Sequence, residues 1–333
     1  MKMLKGGPSG AVGTAKSFMN VVKDIDFAET RDRAEEMPRI LIVAATDDLA
    51  SEAATRLFGL DDRNGVRSEA WSAVQAGFDA NRHDVVIVYD PENSGLFDTV
   101  RLVVGEKRDT SNVILLSASM DGDDASVKAV RFQILELLPE MAPAFGRFHP
   151  HWRKAAVNAI VDQTARANAQ FALVSNIPGV IPILGSFIAA GADLIVLTKN
   201  QVMMCYKVAA AHGEDLENHM ALLRELTPVV GAGFLWRTAA REATSFIPFA
   251  AGTIPKVGIA YAGTLAMGKA ADYYYQYGAK PSRKQLASLK DQAMALAENL
   301  PIVKELVDDD TPKDAVIRPL AEETAEITID SKD

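Results

Sequence analysis

Apolar and polar positions change rhythm along this chain. Between residues 39 and 140, short unbroken apolar runs at 40–44, 85–89 and 113–117 alternate with stretches of helical periodicity at roughly 48–58, 66–81 and 96–107. Continuous Ile, Val and Leu is what a strand covered on both faces of a parallel sheet requires. Strands alternating with helices predict a small doubly wound α/β domain over 38–140. Ahead of it, 1–14 is Gly-rich. Residues 16–37 read as one helix, apolar at Phe18, Val21, Val22 and Ile25 and punctuated by Pro38, so 1–37 form an N-terminal mobile segment and helix.

From about Ser126 the period is helical. The amphipathic stretch 127–138 ends at Pro139, 152–173 is rich in Ala and Asn, a polar helix is expected around 213–227, and 284–299 stops at Pro301. These predict an all-helical domain over 141–300. Within it, the apolar segments 171–197 and 243–268 carry only Asp193 and Lys256 as charges. Each exceeds the roughly 20 apolar residues that cross a bilayer. Yet Pro178 and Pro182 divide the first, and Pro248 and Pro255 the second. Each therefore predicts two short helices meeting at a Pro/Gly turn, an arrangement suited to a re-entrant hairpin or to a buried core. The fold class expected is α/β plus all-α: a small doubly wound parallel sheet, P-loop-like but degenerate, followed by a helical domain with two Pro/Gly-broken apolar hairpins. The segments share a weak repeat. Ile181-Pro182-Ile183-Leu184-Gly185 resembles Ile254-Pro255-Lys256-Val257-Gly258, and each is followed by an Ala/Gly-rich helix that runs into tyrosine and then Gly213 or Gly278.

The first strand and its turn have the layout of a phosphate-binding loop without its phosphate ligands. A working loop reads GxxxxGK[ST]: glycines let backbone N–H groups approach the phosphates, Lys reaches the β/γ oxygens, and Ser/Thr binds magnesium. Laid on that template, Ala44 and Leu49 replace the glycines, Ala50 replaces Lys, and only Ser51 survives. Asp47 and Asp48 fall where oxyanions would sit, able to cap the helix themselves and to repel a triphosphate. These residues leave two readings open, a GTPase-like domain that has lost its ligands and an ordinary strand–turn–helix.

Charge narrows the partners. The net charge is −9, and 301–333 carry ten acidic and four basic side chains, so the expected disordered acidic tail holds most of it. A general nucleic-acid partner is not expected. Cys205, between Met204 and Tyr206, is the single cysteine, which excludes an internal disulfide or a CxxC site and reads as core. The first 18 residues have no apolar h-region and predict no secretory signal.

Four phrases carry a family resemblance: NAQFALVSNIPGVIPILG from Asn168, ADLIVLTKNQVMMCYKVAAAHG from Ala192, FLWRTAAREA from Phe234 and IPKVGIAYAGTLAMGKAADYYYQYG from Ile254. In this order they resemble the domain of unknown function 697, a helical bacterial domain often attached to, or encoded beside, Era-like GTPases and commonly membrane-associated. The resemblance covers roughly 140–290. It implies a GTPase-like origin for 39–140, and it brings no catalytic residue. Under that implication Asp90-Pro91-Glu92-Asn93-Ser94-Gly95 stands where a DxxG-like turn would be, a poor match. Ala118-Ser119-Met120-Asp121 stands where NKxD would read guanine, and only Asp121 agrees. Ser51 and Asp121 are thus the candidate nucleotide contacts, should any nucleotide bind.

Other features weigh less. His149-Pro150-His151 has the spacing of two metal ligands on a strand but lacks a third, so a structural or surface role is expected. His212 and His219 flank a polar segment and read as solvated. Asp193 reads as a polar position facing a partner helix, with a buried functional acid in a membrane as the alternative. Trp236, Arg237, Arg241 and Lys256 are the candidates for membrane or partner contact, because Trp beside Arg suits a membrane interface. Tyr273, Tyr274, Tyr275 and Tyr277 suit an interfacial belt or helix packing. The resulting expectation is a non-catalytic adaptor or scaffold on the cytoplasmic side of a membrane. Membrane lipid and a GTPase or other protein are its partners, and no cofactor or metal is involved. Two alternatives stay open. One is an atypical NTPase, with Arg39, Arg63 or Arg67 replacing the missing Lys. The other is a wholly soluble helical interaction module.

Overall fold

A computed structural model of the chain describes residues 22–60, 63–106, 110–117, 125–174, 192–222, 224–225 and 253–298. Four strands, β1 Ile40–Ala44, β2 Val66–Ala70, β3 Val85–Tyr89 and β4 Val113–Leu116, form one sheet in the order β2-β1-β3-β4. All three pairings are parallel, with Ile40 opposite both Val66 and Val85, and Val86 opposite Val113. The rest of the described chain is mostly helical. The helices are α1 Ala28–Glu35, α2 Asp47–Phe58, α3 Trp71–Val74, α4 Leu96–Gly105, α5 Ala125–Leu137, α6 Ala142–Phe148, α7 Arg153–Val174, α8 Ala192–Ala211, α9 Thr253–Tyr277 and α10 Arg283–Glu298.

Three of the strands are the apolar runs of the sequence, and β1 and β3 are buried at every position. Side-chain alternation then sorts the two faces. Leu41, Val43, Val86, Val88 and Val113 pack with Trp71, Phe78 and the α4 residues Val100 and Val104. Ile40, Ile42, Ile87 and Ile114 point the other way, on the side of α2 and α5, which contact each other.

Three expected helices are corrected. The stretch 66–81 opens as β2 and continues as α3 and two short 3-10 turns. Val66-Arg67-Ser68-Glu69-Ala70 is an edge strand whose alternate polar residues face water, and Arg67 pairs with Glu69 along it. Such a strand lacks the apolar run that marks a central one. The single helix expected over 16–37 is interrupted: Asp26 accepts the Ala28 N–H at 2.9 Å and starts α1 afresh. The polar helix expected around 213–227 does not begin at Gly213 either. Residues 214–216 have no regular structure, and helical turns resume at His219.

The chain splits into two compact units, Thr30–Ile160 with Lys207–Leu216, and Met1–Glu29 with Val161–Tyr206 and Glu217–Asp333. The first holds the sheet. In the second, α9 and α10 form an antiparallel hairpin: a Cβ on Gly258 near the start of α9 would lie 3.8 Å from Ala297 near the end of α10. At Gly268 a Cβ would lie 2.5 Å from both γ carbons of Val161, so α9 crosses α7 at backbone distance. Of the repeat seen in the sequence, 181–185 lie outside the described residues; the closing glycines are both left-handed, Gly213 at φ +88° two residues after α8 and Gly278 at φ +64° directly after α9.

Candidate functional site

In an open parallel sheet the ligand crevice lies outside the carboxyl ends of the strands where the order reverses. Here that switch point falls between β1 and β3, at residues 45–49 and 90–95. Its groups are spent internally. Thr46, not the acidic pair, is the N-cap of α2, its hydroxyl accepting the Leu49 N–H at 3.3 Å. A Thr directly before acidic first-turn residues is a recognisable cap signature in sequence. Asp47 instead accepts the Ala70 N–H at 2.6 Å and ties the end of β2 to the start of α2. Ala44 and Ala50, standing where the first glycine and the Lys of a phosphate loop would be, are fully buried.

After β3, Asp90 is buried, and one of its oxygens accepts the Ser94 N–H and the Ser94 hydroxyl, both at 2.8 Å. The other accepts the Leu96 N–H at 3.1 Å. Asp90 thereby shapes the 90–95 turn, with Asn93 at φ +52° and Gly95 at φ +85°, and caps the start of α4. Burial pushes its carboxyl up, but the hydrogen bonds from Ser94, Leu96 and Phe97 outweigh burial and hold it below the usual carboxylate range. A carboxylate with a lowered folded pKa contributes stability that is present above about pH 4 and is lost as pH falls through the folded value. Asp90→Ala is expected to destabilise the sheet unit by about 1–3 kcal/mol at neutral pH. The difference from wild type in urea midpoint should narrow on acidification.

Beside this turn, the buried Tyr89 hydroxyl donates to Glu52 at 2.9 Å, and the Arg56 guanidinium lies 5.4 Å from the Tyr89 ring centre. Burial, with the Glu52 contact, raises the Tyr89 pKa, so the phenol stays protonated. Ser51 does not face an open site: Arg63 donates to its hydroxyl at 3.2 Å and to the Thr55 hydroxyl at 2.9 Å. Arg39 pairs with Asp84 at 2.7 Å, at the opposite, amino-terminal end of the strands. Arg67 pairs with Glu69 on the edge strand. Asp121, Trp236, Arg237 and Arg241 lie outside the described residues, and Lys256 falls in the first turn of α9 without a described side chain.

The remaining candidates resolve into packing. His149 is fully buried between the rings of Phe58 and Phe145, while His151 is exposed beside Gly59, so the two imidazoles do not converge. Among the described residues no three potential ligands gather around one point. His219 is half-buried rather than solvated, stacked on Phe27 with ring centres 4.9 Å apart. Cys205 is fully buried, and burial pushes its thiol up to about 12.

The helical unit holds a polar knot that the sequence did not reveal. The Thr264 hydroxyl on α9 accepts from Asn168 Nδ2 on α7 and from Gln201 Nε2 on α8, each at 2.9 Å, and donates to the Ala260 carbonyl. Asn200 Nδ2 donates to Asn168 Oδ1 at 2.8 Å. Nearby on the same helices, the Tyr261 hydroxyl donates to Asp162, which also pairs with Arg166 at 3.0 Å. Three helices are thus fastened by side chains scattered across the sequence. Among the described residues no helix is long and apolar enough to cross a membrane. Compared with known proteins, the chain matches no family model, no curated protein and no solved structure.

Proposed function

We propose that this protein is a non-catalytic, membrane-associated adaptor whose α/β unit keeps a nucleotide-binding layout without nucleotide ligands. The observation that carries the proposal is the self-satisfied switch point: Thr46, Asp47 and Asp90 bond to the chain's own backbone. Buried Ala50 puts a methyl group where a phosphate-binding Lys would project. The resemblance of 140–290 to the domain of unknown function 697 supports the GTPase-like origin and the membrane association through 171–197 and 243–268, of which Tyr261, Thr264 and Gly268 pack inside the helical unit and leave lipid contact to the other residues. A true GTPase is the protein partner that this origin favours.

One experiment tests both halves. The purified full chain is mixed with neutral phosphatidylcholine vesicles and magnesium GTP, and flotation and bound nucleotide are measured. The expected result is flotation with the vesicles and nucleotide affinity weaker than about 1 mM. Tight, magnesium-dependent GTP binding overturns the adaptor reading, and failure to float with both these and anionic vesicles overturns the membrane half. A second reading, a helical interaction module whose apolar segments pack on one another, is favoured by the Asn168–Thr264–Gln201 knot, since such bonds hold helices together without lipid.

A further inference from the structure

The tip of the α9–α10 hairpin concentrates cations and tyrosines in an acidic protein. From Tyr273 to Leu289 there is no acidic side chain, against three basic ones, Lys280, Arg283 and Lys284, and four of the chain's seven tyrosines. Residues 276–280 and 282–284 are exposed, and Tyr277 shows 48% of its surface. The Tyr273 ring lies 4.5 Å from that of Tyr277, centre to centre, so the aromatics form one face of the last turn of α9.

The placement of the cations opposes helix stability. Arg283 and Lys284 open α10, where the helix dipole disfavours positive charge, while the first turn holds no acid and the last turn no base. The end is otherwise well built. Ser282 Oγ accepts the Gln285 N–H at 3.2 Å, and Gln285 Oε1 accepts the Ser282 N–H at 2.7 Å, a reciprocal capping box. The cations are therefore not there to finish the helix. Exposed tyrosine is suited to headgroup depth, its ring in the apolar boundary and its hydroxyl in water. Clustered Lys and Arg beside it match an anionic bilayer.

We propose that the turn of this hairpin, through Lys280, Arg283, Lys284 and Tyr277, docks on the anionic lipid headgroups of a membrane surface. This rests on the reading that the helical unit meets a membrane, and it adds a lipid preference to it. Charge complementarity carries it, since a positive, tyrosine-bearing tip on a chain of net charge −9 is oriented by a negative surface.

The test is flotation of the full chain with neutral phosphatidylcholine vesicles and with vesicles containing about 25% phosphatidylglycerol, at low and high salt. Wild type is expected to partition about 10–100-fold more strongly onto the anionic vesicles, with the excess lost as salt rises. The triple variant Lys280→Glu, Arg283→Glu, Lys284→Glu should lose that excess and keep its binding to neutral vesicles. Glu in the first turn suits the α10 dipole, so the variant is expected to fold. Tyr277→Ala should weaken binding to both vesicles without changing the salt dependence. Equal wild-type binding to neutral and anionic vesicles overturns the lipid preference and leaves the membrane reading standing, whereas no binding to either removes both. Tight binding of a single-stranded RNA oligonucleotide, lost in the triple variant, overturns the lipid assignment in favour of nucleic acid.

Discussion

Trp152→Ala is expected to destabilise the sheet-bearing unit by about 3–5 kcal/mol, the range for emptying a large aromatic site. Trp152 is fully buried and stacks between Phe58 and Phe145, with ring centres 5.0 and 4.8 Å away. Its Nε1 donates to the Leu57 carbonyl at 2.9 Å, and Arg131, whose guanidinium lies 5.5 Å from the indole centre, donates to the same oxygen. That carbonyl belongs to the last turn of α2, where intrahelical partners run out. α2 then stops at Gly59, at φ +83°, where a Cβ would meet the His151 ring at 2.5 Å. Removing the indole therefore opens a cavity and takes one donor from a helix end. Trp152→Phe keeps most of the ring volume and loses the donor, so it should cost about 1–2 kcal/mol. Urea unfolding followed by circular dichroism separates the two, because the alanine variant should lose its helical signal at a clearly lower midpoint. Equal midpoints for both variants would show that packing around the indole contributes little.

Thr264→Val should be nearly as damaging in the helical unit although it conserves volume. The hydroxyl is the common acceptor for Asn168 and Gln201, and all three residues are buried. Valine leaves two buried amide donors without that acceptor, at about 1–3 kcal/mol each. Thr264→Ser restores the acceptor and should recover most of the loss, the signature of a hydrogen-bond effect rather than a shape effect. Replacing Thr264, Asn168 and Gln201 together by apolar residues should cost less than Thr264→Val alone, since both buried amide donors leave with their acceptor and only the half-buried Asn200 loses a partner. Thermal melts of the single, serine and triple variants give the comparison. A triple variant less stable than the single one would mean that the knot stabilises beyond satisfying itself.

These sites differ in how far the sequence announced them. β1, β3 and β4 were legible because a strand covered on both faces must be continuously apolar, and Ile40–Ala44 and Val85–Tyr89 are. β2 was hidden because an edge strand needs cover on fewer sides, and Arg67 and Glu69 made its five residues look like part of a charged helix. The absence of phosphate-loop residues was legible from Ala44, Leu49 and Ala50, but what the turn does instead was not. A carboxylate after a strand says nothing about which N–H it will meet, and Asp47 reaches Ala70 on the next strand over. The knot was the least legible feature. Asn168, Gln201 and Thr264 lie among other polar residues on three Ala-rich helices, and only the helix packing brings their side chains together.

The sheet's order also has a consequence for synthesis. β1 is made first yet sits inside the sheet, and its register partners Val66 to Ala70 and Val85 to Tyr89 follow later in the chain. Its backbone cannot be paired on both sides until Tyr89 has left the ribosome, and at translation speeds of about 5–20 residues per second that is an interval of seconds. Through that interval Ile40-Leu41-Ile42-Val43 is a bare, uncharged, β-prone segment, the kind that recruits other chains or a holding chaperone. The same buried centrality that makes β1 rigid in the finished protein leaves it unprotected in the nascent chain.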